Sequence, residues 1–108
     1  MVSAELALTV PSILLVLAIC LTALALAIDQ VRVTDAARVG ARAASRGEDP
    51  AEVQRLVLDL APEGSHLQVG QEDHIVVVRV EAPSRSRLLP LPQAQARASA
   101  VWEPGAGP

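Results

Sequence analysis

Aromatic residues are almost missing from this chain: Trp102 stands alone, with no Phe and no Tyr. Aromatic side chains wall most deep apolar ligand pockets, so a large pocket for a flat ligand is not expected. Lysine is missing too. All nine basic residues are Arg, set against twelve acidic ones, and the net charge is −3. A dedicated nucleic-acid surface needs a clustered positive excess, which this balance does not supply. Cys20 is the single cysteine, so no internal disulfide can form. It lies in an apolar stretch and reads as a small helix residue. No Gly-rich phosphate loop occurs, and no Ser or Cys sits in a nucleophile motif. The chain therefore reads as a non-enzyme without a cofactor. His66 and His74 flank a hairpin with Glu72 and Asp73 nearby, but no zinc-type spacing is present and no metal site is expected.

Charge is also absent from one long stretch. Between Glu5 and Asp29 lie 23 uncharged residues, among them eight Leu, three Ile, two Val and five Ala. As a helix at 1.5 Å per residue, the segment Leu6 to Ile28 spans about 35 Å, enough for a hydrocarbon core of about 30 Å. Its thirteen large aliphatics favour insertion by about 4 to 8 kcal/mol. Leu6 to Ile28 is thus expected to be a transmembrane helix. Pro11 removes one backbone donor and crowds the Ala7 carbonyl, so a kink is expected there, with the Thr9 and Ser12 hydroxyls as substitute donors. Ala25-Leu26-Ala27 has the form of a signal-cleavage site. The missing basic region before it, the presence of Glu5 and the length of the apolar run argue against cleavage. Arg32, Arg38, Arg42 and Arg46 follow the span, and on the positive-inside rule they hold the carboxyl end in the cytoplasm.

Beyond the span the helical signal continues without proline to Arg46, and Gly47 is a natural stop. Arg38, Arg42 and Arg46 recur on one side. Ala37, Gly40, Ala41 and Ala44 form an opposite face of small residues, on which another backbone can pack closely. A second helix starts at Asp49 as N-cap, with Pro50 at the first position and Glu52 at capping-box spacing. Its stripe is Val53, Leu56, Val57 and Leu60. The period then changes to two. Leu67 and Val69, then Val76, Val78 and Val80, then Ala94, Ala96, Ala98 and Ala100 mark three strands. Pro83 to Pro92 reads as a loop. The fold class is α+β: a long amino-terminal transmembrane helix running into a small domain with a second helix and a three-stranded antiparallel sheet. The expected division is a helical segment 1–47 with the span 6–28, a head 48–102, and a disordered tail 103–108.

Met1-Val2-Ser3-Ala4-Glu5, followed by Leu6-Ala7-Leu8-Thr9-Val10-Pro11, carries a more specific likeness. With Asp35-Ala36-Ala37-Arg38, Ala41-Arg42-Ala43-Ala44 and the Val-rich strand, it resembles type IV pilins. More narrowly, it resembles the TadE-like minor pilins and pseudopilins of tight-adherence (Flp) pili of actinobacterial type. The likeness covers the whole chain in layout and residues 2 to 47 in motif. It implies a pilin-like fold and a basic leader ending in Gly, cut ahead of Met1 by a prepilin peptidase. That leader would reverse the charge balance across the span and leave the head extracytoplasmic. Glu5, fifth in the mature chain, would pair with the terminal amine of a neighbouring copy at Met1 and fix axial register, and Pro11 would act as a hinge. The implied partners are the major Flp pilin, other minor pilins, the prepilin peptidase, the inner-membrane assembly platform and membrane lipid. The other reading of the same residues is a signal-anchored or secreted binding module unrelated to pili, with the Leu88-Leu89-Pro90-Leu91 loop as a contact surface.

Overall fold

The computed structural model describes residues 2–86 and 88–106. Its first element is one unbroken helix, α1, Val2–Ser45. At 1.5 Å per residue it is about 66 Å long, and it sets the long axis of a molecule measuring 76 × 20 × 18 Å. Helical assignment continues through Pro11. The Thr9 hydroxyl donates to the Glu5 carbonyl (2.6 Å) and the Ser12 hydroxyl to that of Leu8 (2.7 Å). These bonds fall on either side of the Ala7 carbonyl, the one that Pro11 deprives of its N–H. The expected substitute donors therefore serve the neighbouring carbonyls instead.

The helix has two different surfaces along its length. From Leu6 to Ile28 it carries no charge, and none of its most apolar stretch is buried by the chain. From Asp29 onward one face is buried, comprising Asp29, Val33, Ala36, Ala37, Gly40, Ala41, Ala43, Ala44 and Ser45. These positions recur at helical spacing, and nearly all are small.

Gly47, at φ +81°, ends α1 with the left-handed turn that glycine adopts most readily. Helix α2, Pro50–Leu60, follows. Asp49 accepts from the Ala51 N–H at 3.0 Å. The Glu52 carboxylate does not close the reciprocal capping bond, because it pairs with Arg55 one turn on. The adjacent guanidinium holds this carboxyl below its usual range. Val53 and Val57 are buried against α1.

The sheet is antiparallel in the order β1-β2-β3: β1 His66–Glu72, β2 Ile75–Glu81 and β3 Gln95–Val101. Val76, Val78 and Val80 on the central strand are fully buried. Their β3 partners are Ala100, Ala98 and Ala96. Valine fills the middle of the sheet, while alanine on β3 leaves room for the helix to lie close. Gly40 marks the tightest approach: a Cβ there would lie 2.5 Å from Val57 Cγ2 and 3.2 Å from Val78 Cγ1. One core joins the second half of α1 with α2 and the sheet. The second half of the long helix thus packs on the small head.

The β1–β2 turn is only Asp73-His74, with Asp73 at φ 50°. His66 sits at the other end of the hairpin, opposite Glu81. Seven residues of extended chain hold the two histidines apart, so they do not approach each other. No cluster of metal-ligating side chains exists among the described residues. The tail is also held over its described part. The Glu103 N–H donates to the Ser45 carbonyl at 2.9 Å, and the Ala106 N–H to Glu103 at 3.0 Å. Helix ends leave carbonyls without intrahelical donors, and Glu103 satisfies one of them.

Candidate functional site

The surface with the clearest functional character is the uncovered part of α1 and the loop that returns to its edge. Leu6, Leu8, Val10, Ile13, Leu14, Leu15, Val16, Leu17, Ile19, Leu21, Leu24 and Ile28 are all exposed. A water-soluble surface does not normally carry an apolar patch of this extent. The Thr22 hydroxyl is satisfied within the helix by the Ala18 carbonyl, at 2.8 Å. Cys20 is exposed on the same surface.

Glu5 lies in the first turn of α1, where the unsatisfied N–H groups favour a carboxylate. No described residue forms an ion pair with it. Met1, its expected counterpart in another copy, lies outside the described residues. Pro11 sits on the exposed apolar stretch, about 1.7 turns after Glu5. Ala37, Gly40, Ala41 and Ala44 are all buried under the chain's own sheet and second helix. They form an intramolecular seam rather than a free face.

At the opposite end of the apolar stretch, Asp29 is only 3% exposed. Both its oxygens accept from Arg85, Oδ2 from Nε at 2.6 Å and Oδ1 from Nη2 at 2.8 Å. Such a bidentate pair is the strongest planar match between a guanidinium and a carboxylate. The bonds to Asp29 raise the Arg85 pKa above its ordinary value. This pair anchors the β2–β3 loop beside the helix. A cleft of about 700 Å³ lies between them, walled by Leu15, Ile19, Thr22 and Leu26 on α1 and by Leu89 and Leu91 on the loop.

Arg32 acts on the fold itself. Its Nε donates to the Leu60 carbonyl (3.2 Å) and its Nη2 to that of Ala61 (3.0 Å). Helix α2 has no basic residue in its own last turn, and α1 provides the cation its C-terminus favours. Arg38, Arg42 and Arg46 are exposed along the outside of α1.

Fold and surface together define a class: a small α+β head carried on a long apolar helix of membrane-spanning length and composition. No family model and no solved structure matches the chain. Among curated proteins, it is 40% identical over 101 residues to "Apoptosis inhibitor Rv3655c" of Mycobacterium tuberculosis, covering 94% of this chain and 78% of that protein. The chain belongs to the same family as that mycobacterial protein. The match spans both the apolar helix and the head.

Proposed function

We propose that this protein is a minor pilin or pseudopilin-like subunit of a tight-adherence type IV pilus, anchored in the membrane by the first half of α1. One observation carries the reading: an apolar helix whose most apolar stretch the chain leaves uncovered, with a carboxylate, Glu5, in its first turn. A lone carboxylate at the end of smooth apolar helices gives them the axial register that they otherwise lack. In this reading the uncovered helices bundle as a filament core. Glu5 meets the terminal amine of a neighbour, and the sheet faces outward toward other subunits.

The test is Glu5→Ala in the native organism. Glu5 lies at the edge of the span, so the variant should insert as well as the parent. Assembly into filaments should fall severely, as counted by electron microscopy and by shear fractionation. Normal filament numbers in this variant would sink the assigned role.

A second reading of the same residues is an anchored or secreted binding module unrelated to pili. Mass spectrometry of the mature chain from its native membrane separates the two. A methylated terminus ahead of an intact apolar helix supports the pilin subunit; a chain beginning at Ile28 supports the secreted module.

A further inference from the structure

We infer that segment 88–92 of the β2–β3 loop is a second membrane-entry element that lies in the acyl-chain edge of the leaflet on the head's side. The inference rests on the membrane-anchored reading of α1 and goes beyond it.

The argument starts from where the loop stands. Arg85 is fixed to Asp29, the residue that closes the uncharged stretch of α1. The loop then runs along the exposed apolar helix rather than back over the head. The helix wall of the intervening cleft runs from Leu15 to Leu26, with Leu15, Ile19, Thr22 and Leu26 along its middle. Leu26, at the near end of that wall, lies about 4.5 Å along the axis from Asp29, on the side away from the head. With Asp29 at the hydrocarbon boundary, the cleft opens at the edge of the hydrocarbon.

The chemistry of the loop fits that depth. Leu88 is 95% exposed and Leu89 is 64% exposed. In water this is an unfavourable tip for a small head whose other large apolar side chains are mostly covered. Beside an acyl chain it is the favoured one. Amphipathic elements at an interface bury their apolar face by about 5–10 Å. Pro90 and Pro92 reduce the number of backbone N–H groups that a lipid-facing loop has to satisfy. The Ser86 hydroxyl accepts from the backbone N–H of Leu88 (3.2 Å) and of Leu89 (3.0 Å). The tip is thus internally satisfied at the two residues that point outward. Arg85 stays 43% exposed on its side chain, at the level where headgroup phosphates lie. The occupant of the cleft is therefore lipid, by continuity with the apolar span.

The full chain carrying Cys20→Ala and Leu88→Cys tests this, labelled with the fluorophore NBD in phosphatidylcholine–phosphatidylglycerol vesicles. Two companions set the scale: a chain labelled at native Cys20 for the span, and Cys20→Ala with Val69→Cys for the exposed sheet. Leu88 and Val69 are exposed, so neither substitution disturbs the core. The label at 88 should emit to the blue of that at 69. Lipids with shallow acyl nitroxides should quench it, and aqueous dithionite should reduce it at least several-fold more slowly than at 69. Equal reduction at 88 and 69, with 20 protected, would overturn the loop inference and leave the anchor standing. A label at 88 shielded from both nitroxide and dithionite would also overturn it, because protein rather than lipid would fill the cleft. Rapid reduction at 20 would remove the anchor and the inference together.

Discussion

The two halves of α1 share one backbone and solve opposite problems. From Val2 to Ile28 the helix carries large aliphatics on every side and touches nothing else in the core. From Asp29 to Ser45 it carries mainly alanine and glycine on one face, and that face is buried. Large side chains suit a fluid solvent, where area removed from water is what counts. Small side chains suit a fixed partner, where close approach of backbones is what counts. Residue size along a single helix thus reports whether its partner is mobile lipid or the chain's own sheet. Asp29, with Arg85, stands at the change.

The largest break in this comparison should come from Leu17→Arg, at the centre of the first half. Placing Arg there costs insertion about 3 kcal/mol, and about 0.5 kcal/mol more is lost with the leucine. Membrane fractionation should show a smaller membrane-bound fraction than for the parent, while thermal unfolding of the head in detergent stays unchanged. Gly40→Val is the mirror experiment. Its side chain meets Val57 and Val78, neither of which has exposed surface to yield toward. Overpacking of this kind costs up to about 3 kcal/mol. The melting temperature of the head should fall by more than ten degrees, with membrane insertion unaffected. Asp49→Ala sharpens the comparison at smaller scale. It removes the bond to the Ala51 N–H and should cost about 1 kcal/mol, read as faster amide exchange in α2. An equal response of insertion and head stability to any of these variants would contradict the division of labour.

Much of this layout was legible in the residues, because much of it is periodic. The uncharged run, the Asp49-Pro50 start, and the alternation at Val76, Val78 and Val80 each encode their element locally. The alanines at 96, 98 and 100 did so too, although alanine by itself favours a helix; pairing with β2 decides for strand. The Asp29–Arg85 pair left no such trace. Its partners are 56 positions apart, and neither belongs to a repeating pattern. Arg32 read as one more cation after the span, yet it closes α2 through Leu60 and Ala61. Glu52 had the right spacing for a capping box, but spacing does not record the competition from Arg55. The tail looked free because Glu103 to Ala106 has little apolar content. It is held instead by a backbone bond to Ser45, to which composition is blind.

The continuity of α1 has a mechanical consequence. No linker separates the apolar stretch from the packed one, so the helix is a stiff shaft that enters the head as part of its core. Each residue of axial screw in the membrane turns such a shaft by about 100° and shifts it by about 1.5 Å. The sheet, fixed to the shaft through Gly40 and the alanines around it, must follow both movements. Only Pro11 interrupts the backbone ladder, and it lies about 27 Å along the axis from Asp29. A proline bend at Pro11 therefore leaves the half of the shaft nearer the head unkinked, and a turn of that half carries the sheet with it.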